Sequence, residues 1–258
     1  MIKNIFINIL NKNYFLTIIK KLFKRFEKDT SNEAKKWAEL KVKQSTEEFC
    51  KSIDTPLYEK ILLEIKDIRK EANEKLSKLD VSLGGGGNYV LLYFLIQKFN
   101  LKNVVETGVA AGWSSLAILR AFKKNKKGLL YSSDFPYFRL KDPAQYIGFL
   151  ARNEDNREDW YLDIRGDDVA LPEIIKRMKD DTIDLIHYDS DKTYSGRFNA
   201  MKILNSKINY NTIIIFDDIQ DNLHFKDFVK NKKNFYVLEF ENKFIGIVGN
   251  NLFSKFNK

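Results

Sequence analysis

The sequence predicts an α/β protein in which five parallel strands are followed by an antiparallel hairpin, with helices on both faces of the sheet. After residue 88, short β-branched or aromatic runs alternate with segments whose apolar residues recur at helical spacing. The last two runs are separated only by a Glu-Asn-Lys turn, which is typical of a hairpin. The predicted strands are 103–107, 128–133, 160–164, 182–188, 212–216, 234–240 and 243–248, and the predicted helices are 88–99, 113–123, 172–179, 195–206 and 222–231.

A glycine run, Gly84 to Gly87, divides this region from the start of the chain. Residues 1–83 have helical apolar spacing and no strand pattern, so we predict an N-terminal extension of three helices over 1–83 and an α/β domain over 84–258. Within residues 1–26, lysines lie opposite an apolar stripe, which predicts a basic amphipathic helix. Three uses of this helix stay open: packing on the α/β domain, contact with a second subunit in a homo-oligomer, and peripheral contact with an anionic membrane.

The composition is that of a folded protein that is not embedded in a membrane. The chain is 44% hydrophobic and 14% aromatic, and its longest apolar run, Tyr89 to Ile96, is too short to cross a bilayer. The single cysteine, Cys50, excludes an internal disulfide and a cysteine metal cluster. The net charge of +9 comes from lysines scattered along helical surfaces, which favours solvated faces over a nucleic-acid site. We therefore expect a cytoplasmic protein.

Residues 104–115 have the pattern of a strand, a glycine turn and the start of a helix, which presents free backbone N–H groups to a ligand. Gly108 permits a tight turn, and Gly112 permits the backbone to approach a ligand closely. The Gly-x-x-x-Gly spacing differs from the Gly-x-Gly-x-x-Gly pattern of dinucleotide-binding loops. NAD is therefore disfavoured.

Acidic residues follow two successive strands. Asp189 and Asp191 come after the fourth predicted strand, and Asp217 and Asp218 come after the fifth. Because ligands of open α/β sheets bind beyond the carboxyl ends of the strands, these four carboxylates are expected to share one crevice. Oxygen ligands suit Mg²⁺, Mn²⁺ or Ca²⁺, whereas zinc favours histidine and cysteine, of which the chain has two and one. The alternative is that each pair caps the helix that follows it.

The chain resembles the class I S-adenosylmethionine-dependent methyltransferases over residues 84–250. Their first motif, an acidic residue followed by Gly-x-x-x-Gly, is matched by Glu106, Gly108 and Gly112, and the next strand ends at Asp134, where the family binds the donor's ribose hydroxyls. The resemblance implies a Rossmann-like, seven-stranded sheet that binds S-adenosylmethionine (SAM). The implied donor-binding residues are Glu106, Gly108, Gly112, Trp113, Ser114, Asp134 and, in the motif near the adenine, Asp167.

The resemblance is closer still to the metal-dependent sugar O-methyltransferases of the macrocin and novobiocin type. Their fourth-strand motif is similar to the segment from Asp189 to Tyr194, and their fifth-strand motif is similar to Phe216-Asp-Asp. It implies that Asp189, Asp217 and Asp218 bind Mg²⁺ or Mn²⁺ and that Asp191 is the general base. Ser190 departs from the glycine that these enzymes often have.

Several other functions compete with methylation of a sugar or glycan hydroxyl. A catechol-like or other diol acceptor also satisfies two metal positions, and a non-catalytic scaffold in glycan assembly would keep the donor fold without the chemistry. A DNA amino-group methyltransferase is suggested by Asp134-Phe-Pro-Tyr137, but this motif follows the wrong strand. His187 is expected to face the packing of the sheet, and Trp113 either stacks on the donor or anchors the core.

Overall fold

The computed structural model describes residues 27–83, 85–179 and 181–250. These residues form one sheet of eight strands with helices on both of its faces, so the predicted α/β fold is confirmed. The amphipathic helix predicted in residues 1–26 lies outside the described residues. The strands are β1 Gln44–Ser45, β2 Asn103–Thr107, β3 Leu129–Ser133, β4 Trp160–Asp163, β5 Leu185–Tyr188, β6 Ile213–Phe216, β7 Phe235–Phe240 and β8 Lys243–Val248. The helices are α1 Ser31–Lys41, α2 Thr46–Leu76, α3 Tyr89–Phe99, α4 Trp113–Asn125, α5 Asp167–Arg177, α6 Tyr194–Leu204 and α7 His224–Phe228.

The strand order is β1-β7-β8-β6-β5-β2-β3-β4, and β2 to β6 are mutually parallel. Strand β8 runs antiparallel to β6 and β7, which confirms the predicted hairpin. The eighth strand is an addition to the seven that the sequence predicts. It comes from the N-terminal extension and pairs in parallel with Leu238 and Glu239 of β7. Two residues are too few to show an alternating pattern, so the sequence gives no signal for this strand.

Alternate residues of each strand pack into two separate hydrophobic layers. Val104 lies in the layer formed with α2, α3 and α4, whereas Val105 lies in the layer formed with α1, α5, α6 and α7. This alternation follows from the two-residue repeat of a pleated strand, because helices bury both faces of the sheet. The side of the sheet on which a functional residue lies can therefore be read from its position along the strand.

The described part of the N-terminal extension shares its core with the sheet. Helix α2 contributes Ile61 and Ile65 to the same buried cluster as strand residue Val104. The helix is interrupted at Asp54, whose backbone is not helical and whose Oδ1 accepts a hydrogen bond from the Leu57 N–H at 3.0 Å. The boundary at residue 84 remains a prediction, since the core is continuous across it. No helix in the described part of the chain is long and apolar enough to cross a membrane.

Candidate active site

The ends of β5 and β6 bring two of the predicted carboxylates together. Tyr188 pairs with Phe216, and the Asp217 N–H donates to the Tyr188 carbonyl oxygen at 3.0 Å. Asp189 and Asp217 therefore lie side by side at the carboxyl edge of the sheet. Together with His187 they form what we call the acidic centre, in which one ligand atom of each residue lies within 4.8 Å of the others.

His187 is a member of this centre, which corrects the expectation that it faces only packing. It lies two residues before Asp189, so the pleat directs both side chains to the same side of the sheet. Its side chain is 1% exposed, and neither ring nitrogen has a hydrogen-bond partner among the described residues. Nε2 is 3.5 Å from Oδ2 of Asp217. Burial lowers the pKa of His187, but the charges of Asp217 and then Asp189 outweigh burial and raise the pKa above its usual value.

Asp218 differs from the predicted metal set, because its carboxylate is held by lysines. Its backbone has a left-handed φ of 53°. Its side chain therefore does not continue the alternating pattern of strand β6. Oδ2 lies 2.6 Å from Nζ of Lys192, and Oδ1 lies 3.1 Å from Nζ of Lys243. Burial raises the pKa of Asp218, but the two lysines outweigh it and lower the pKa to about 2. Asp218 thus borders the acidic centre, and its role as a metal ligand remains a prediction.

Lys192 also pairs with Asp189, so one ammonium group joins the two carboxylates. Burial and the neighbouring Asp217 raise the pKa of Asp189, although Lys192 opposes both effects. The electrostatics of Asp189 are therefore set by a second carboxylate on one side and by a cation on the other.

The glycine run lies directly on the acidic centre. A Cβ atom on Gly87 would be 2.7 Å from Oδ2 of Asp217 and 3.4 Å from Oδ2 of Asp189, and one on Gly86 would be 2.7 Å from Cβ of Trp113. Such distances exclude larger residues unless the neighbours move. The run also lines a cavity of about 110 Å³, together with Asp189, Asp217 and Asp218. The segment over the acidic centre therefore has to consist of glycines at Gly86 and Gly87, because side chains there would clash with their neighbours.

Asp191, the predicted general base, lies at the entry to α6. Its Oδ1 accepts hydrogen bonds from the Thr193 N–H at 3.0 Å and from the Thr193 hydroxyl at 2.8 Å. Its carboxylate packs so closely on Gly196 that a Cβ atom there would be 2.5 Å from Cγ. The carboxylate therefore shapes the turn before the helix, and its role as the base remains a prediction.

The glycine loop meets the acidic centre through Gly108. A Cβ atom on Gly108 would lie 2.4 Å from the carbonyl oxygen of Asp189, and the residue has a φ of +82°, so both contact and conformation require glycine. Gly112 also has a positive φ, but its close neighbour is the backbone of Gly148, whose Cα would lie 2.8 Å from a Cβ atom on Gly112. The space that a side chain at Gly112 would need is thus taken by the chain itself, and a close approach of the Gly112 backbone to a ligand remains a prediction.

Asp134 lies at the end of β3 and closes the glycine loop. Its Oδ2 accepts hydrogen bonds from the N–H groups of Val109 at 2.9 Å and Ala110 at 2.6 Å, and its Oδ1 accepts from the Phe135 N–H at 2.5 Å. Burial raises the pKa of Asp134 to about 6, against the lowering effect of these hydrogen bonds. The carboxylate reaches the predicted position at the sheet edge.

Asp167 stands beside Asp134 at the same edge. It is the first residue of α5, and its two carboxylate oxygens accept hydrogen bonds from the hydroxyls of Ser133, at 2.6 Å, and Ser190, at 2.5 Å. The Ser190 hydroxyl therefore links the loop after β5 to the start of α5. This contact gives a physical reason for serine where glycine is expected.

Three other predicted donor-binding residues are buried. Glu106 is fully buried, and its Oε2 accepts hydrogen bonds from the hydroxyls of Ser115 at 2.6 Å and Ser132 at 2.7 Å. Trp113 belongs to the hydrophobic core and stacks on Tyr89, with ring centroids 5.4 Å apart, which supports its interpretation as a core anchor. Ser114 is 5% exposed at the start of α4. The roles of these three residues in donor binding remain predictions.

Arg197 holds the turn after β6, and it is absent from the sequence-based site. It is fully buried, and its Nη2 donates to the carbonyl oxygens of Asp217 and Asp218, each at 2.9 Å. In α6 it lies four and seven residues before the buried Met201 and Leu204. A charged residue within the apolar stripe of a predicted helix is a signal that could have identified it.

Residues 105–219 match the family described as "Methyltransferase domain". This segment begins in β2, contains the glycine loop and Asp134, and ends just beyond the acidic centre. This segment is therefore similar to a methyltransferase domain.

Solved structures share the fold of residues 105–219 and of their surroundings. The O-methyltransferase TomG of Streptomyces achromogenes, involved in tomaymycin synthesis and solved in complex with SAM, is 12% identical, with a TM-score of 0.52 over 70% of this chain and 89% of that one. SAH-bound methyltransferase PaMTH1 of Podospora anserina is 13% identical, with a TM-score of 0.50 over 70% and 87%. At these identities the likeness concerns the fold. No curated protein sequence matches this chain.

Proposed function

We propose that the protein is a SAM-dependent O-methyltransferase that uses a divalent cation and acts on a hydroxyl group of a sugar or glycan-type small molecule. The observation that carries the proposal is the contact of Gly108 with the Asp189 backbone. It places the glycine loop, which binds the donor in this kind of fold, directly against the acidic centre. A methyl donor and a cation-bound acceptor would therefore meet at one edge of the sheet.

The residues of the acidic centre fit a divalent cation. Asp189 and Asp217 supply oxygen ligands, and His187 supplies a buried imidazole whose Nε2 faces Oδ2 of Asp217 at 3.5 Å and whose Nδ1 has no hydrogen-bond partner within the described residues. A buried polar group without a partner is costly, so a ligand for this ring is expected. Two carboxylates with one imidazole suit Mn²⁺ or Fe²⁺ as well as Mg²⁺, whereas the three carboxylates implied by the resemblance favour Mg²⁺. We therefore rank Mn²⁺ before Mg²⁺.

The chain's own residues divide the work of methyl transfer. The glycine loop and Asp134 hold the donor, whose sulfonium methyl group is already reactive. When bound, a divalent cation supplies Lewis acidity, which makes an acceptor hydroxyl easier to deprotonate. The acceptor oxygen forms a bond to the methyl carbon as the carbon–sulfur bond breaks, and Asp191 takes the hydroxyl proton. The products are the methyl ether and S-adenosylhomocysteine.

The sugar acceptor is supported by the resemblance of the segment from Asp189 to Tyr194 to sugar O-methyltransferases. A catechol-like or other diol acceptor is the alternative, because two neighbouring hydroxyls of any such molecule can reach one cation. A non-catalytic scaffold in glycan assembly is a weaker candidate, since a scaffold has no use for a buried histidine beside two carboxylates. A cytoplasmic location, peripheral membrane contact through residues 1–26 and a homo-oligomer are part of the proposal.

A calorimetric titration of the full chain tests the donor and the cation together. We expect SAM to bind without added metal, and we expect methyl transfer to a panel of nucleotide sugars, glycan fragments and catechols to stop in excess chelator and to return with Mn²⁺ or Mg²⁺. Formation of S-adenosylhomocysteine is the measurement. Binding of NAD in preference to SAM, or full activity in chelator, would contradict the proposal.

The pKa of Asp134 predicts a pH dependence of donor binding. Because burial raises this pKa to about 6, the carboxylate is ionised at pH 8 and mostly protonated at pH 5. Protonation removes the acceptor for the ribose hydroxyls, so SAM affinity should fall about tenfold from pH 8 to pH 5, as expected for one group of this pKa. Calorimetry of SAM binding without metal measures the change. The Asp134→Asn variant should bind weakly at every pH, and a wild-type affinity that stays constant over this range would refute the assignment.

A further inference from the structure

Lys192 is the one residue of the described chain whose ammonium group contacts both Asp189 and Asp218. Its side chain is 35% exposed, so it can move between the centre and solvent. Its backbone is fixed, because the Asn222 side-chain amide donates to the Lys192 carbonyl oxygen at 2.8 Å. Lys192 thus combines a mobile ammonium group with a fixed backbone position.

The carboxylate of Asp189 takes part both in the acidic centre and in the contacts of Lys192. It is part of the acidic centre with His187 and Asp217, and it is also a partner of Lys192. A divalent cation and an ammonium group that use the same carboxylate repel each other and compete for its oxygens. Lys192 contacts Oδ1 of Asp189, so repulsion from a cation on this carboxylate favours a shift of the ammonium group away from it.

Asp218 gives the displaced lysine a second partner. Its Oδ2 is already 2.6 Å from Nζ of Lys192, and its backbone position is fixed by the hydrogen bond from Arg197. The lysine can shift toward Asp218 and remain paired, because its charge sits at the end of a flexible stem.

We propose that Lys192 is an internal competitor of the divalent cation: it neutralises Asp189 before the cation binds, weakens cation binding, and moves onto Asp218 when the cation arrives. The inference rests on the proposed use of a cation by this centre, and it assigns a function to a residue that the proposed mechanism leaves unused. The physical consequence is that removing the charge of Lys192 strengthens cation binding.

The test is Mn²⁺ binding to the full chain, measured by electron paramagnetic resonance of free Mn²⁺ and by calorimetry. We expect Lys192→Met and Lys192→Gln to bind Mn²⁺ at least about tenfold more tightly than wild type, the change that loss of one nearby charge gives at an effective dielectric constant typical of protein surfaces. Lys192→Arg keeps the charge and should remain close to wild type. Lys243→Met is the matched control, because Lys243 pairs with Asp218 but not with Asp189 among the described contacts, and it should have a smaller effect than Lys192→Met.

Thermal unfolding and SAM affinity show whether each variant is folded. If Lys192→Met lowers the melting temperature, Mn²⁺ should raise it by more in this variant than in wild type. If wild type binds Mn²⁺ and both neutral variants bind it equally or more weakly, the competitor role is wrong while the cation site stands. If no variant and no wild-type protein binds Mn²⁺, the cation site itself is wrong, and the competitor role falls with it.

Discussion

The Asp217→Asn variant is expected to lose divalent-cation binding and to transfer methyl groups about a thousandfold more slowly than wild type. Asparagine keeps the size of aspartate but removes the negative charge from the acidic centre. A Lewis acid contributes several kcal/mol to stabilising charge in a transition state, and about 4 kcal/mol corresponds to this factor. Mn²⁺ calorimetry and S-adenosylhomocysteine formation measure the two effects. SAM affinity should change little, because Asp217 is not part of the glycine loop that we propose binds the donor.

Asp221→Asn is the matched control for this variant. Asp221 is half-buried in the same loop and lies outside the acidic centre. The same loss of charge at this position should leave Mn²⁺ binding within about threefold of wild type, since a charge that is not among the ligands interacts with the cation over a longer distance. Equal losses in both variants would show that the loop as a whole, and not the carboxylate of Asp217, is responsible.

The Asp191→Asn variant is expected to lower turnover by about two to four orders of magnitude, the usual contribution of a general base. Asparagine can still accept both hydrogen bonds from Thr193, so the turn before α6 should be retained. The variant therefore separates proton transfer from the structural role that the geometry shows. Initial rates at saturating SAM and acceptor provide the measurement.

SAM and Mn²⁺ affinity serve as controls for Asp191→Asn, and both should remain close to wild type. Asp191→Ala adds a second comparison, because it removes the hydrogen bonds to Thr193 and should lower stability as well as activity. If the asparagine variant keeps more than about a tenth of wild-type activity, Asp191 serves only the turn and another residue takes the proton.

The sheet and the position of the site follow from the sequence because they depend on repeats that can be counted. Buried strands flanked by helices give continuous apolar runs, so β2 to β6 and the hairpin of β7 and β8 were predictable. The same strand ends locate Asp189 and Asp217, since parallel strands finish at one edge. Asp134 was identified through the resemblance to class I methyltransferases.

The residues that make up the acidic centre were harder to predict, because membership depends on the side-chain direction and backbone conformation of single residues. His187 lies one pleat before the strand end, where apolar neighbours favour a packing role, yet the two-residue repeat directs it toward Asp189. Asp218 follows Asp217 directly, but its left-handed backbone turns it to the lysines. No repeat in the sequence signals a positive φ in an aspartate.

Long-range contacts account for the remaining differences. Arg197 and Lys192 contact the loop after β6, because the start of α6 lies beside that loop. The apolar spacing of a helix does not predict which loop lies next to its first turn. The two-residue strand β1 depends on its pairing with β7, almost 200 residues later in the chain. Such pairings are set by packing of the whole fold rather than by local propensity.

The most direct test of the central claim is the position of a bound cation. Crystals of the full chain grown with S-adenosylhomocysteine and Mn²⁺ should show an anomalous peak about 2.0 to 2.3 Å from Nε2 of His187 and from carboxylate oxygens of Asp189 and Asp217, the range for such ligands. The donor's sulfur should lie on the Gly108 side of that peak. A peak elsewhere, or none at saturating Mn²⁺, would contradict the account.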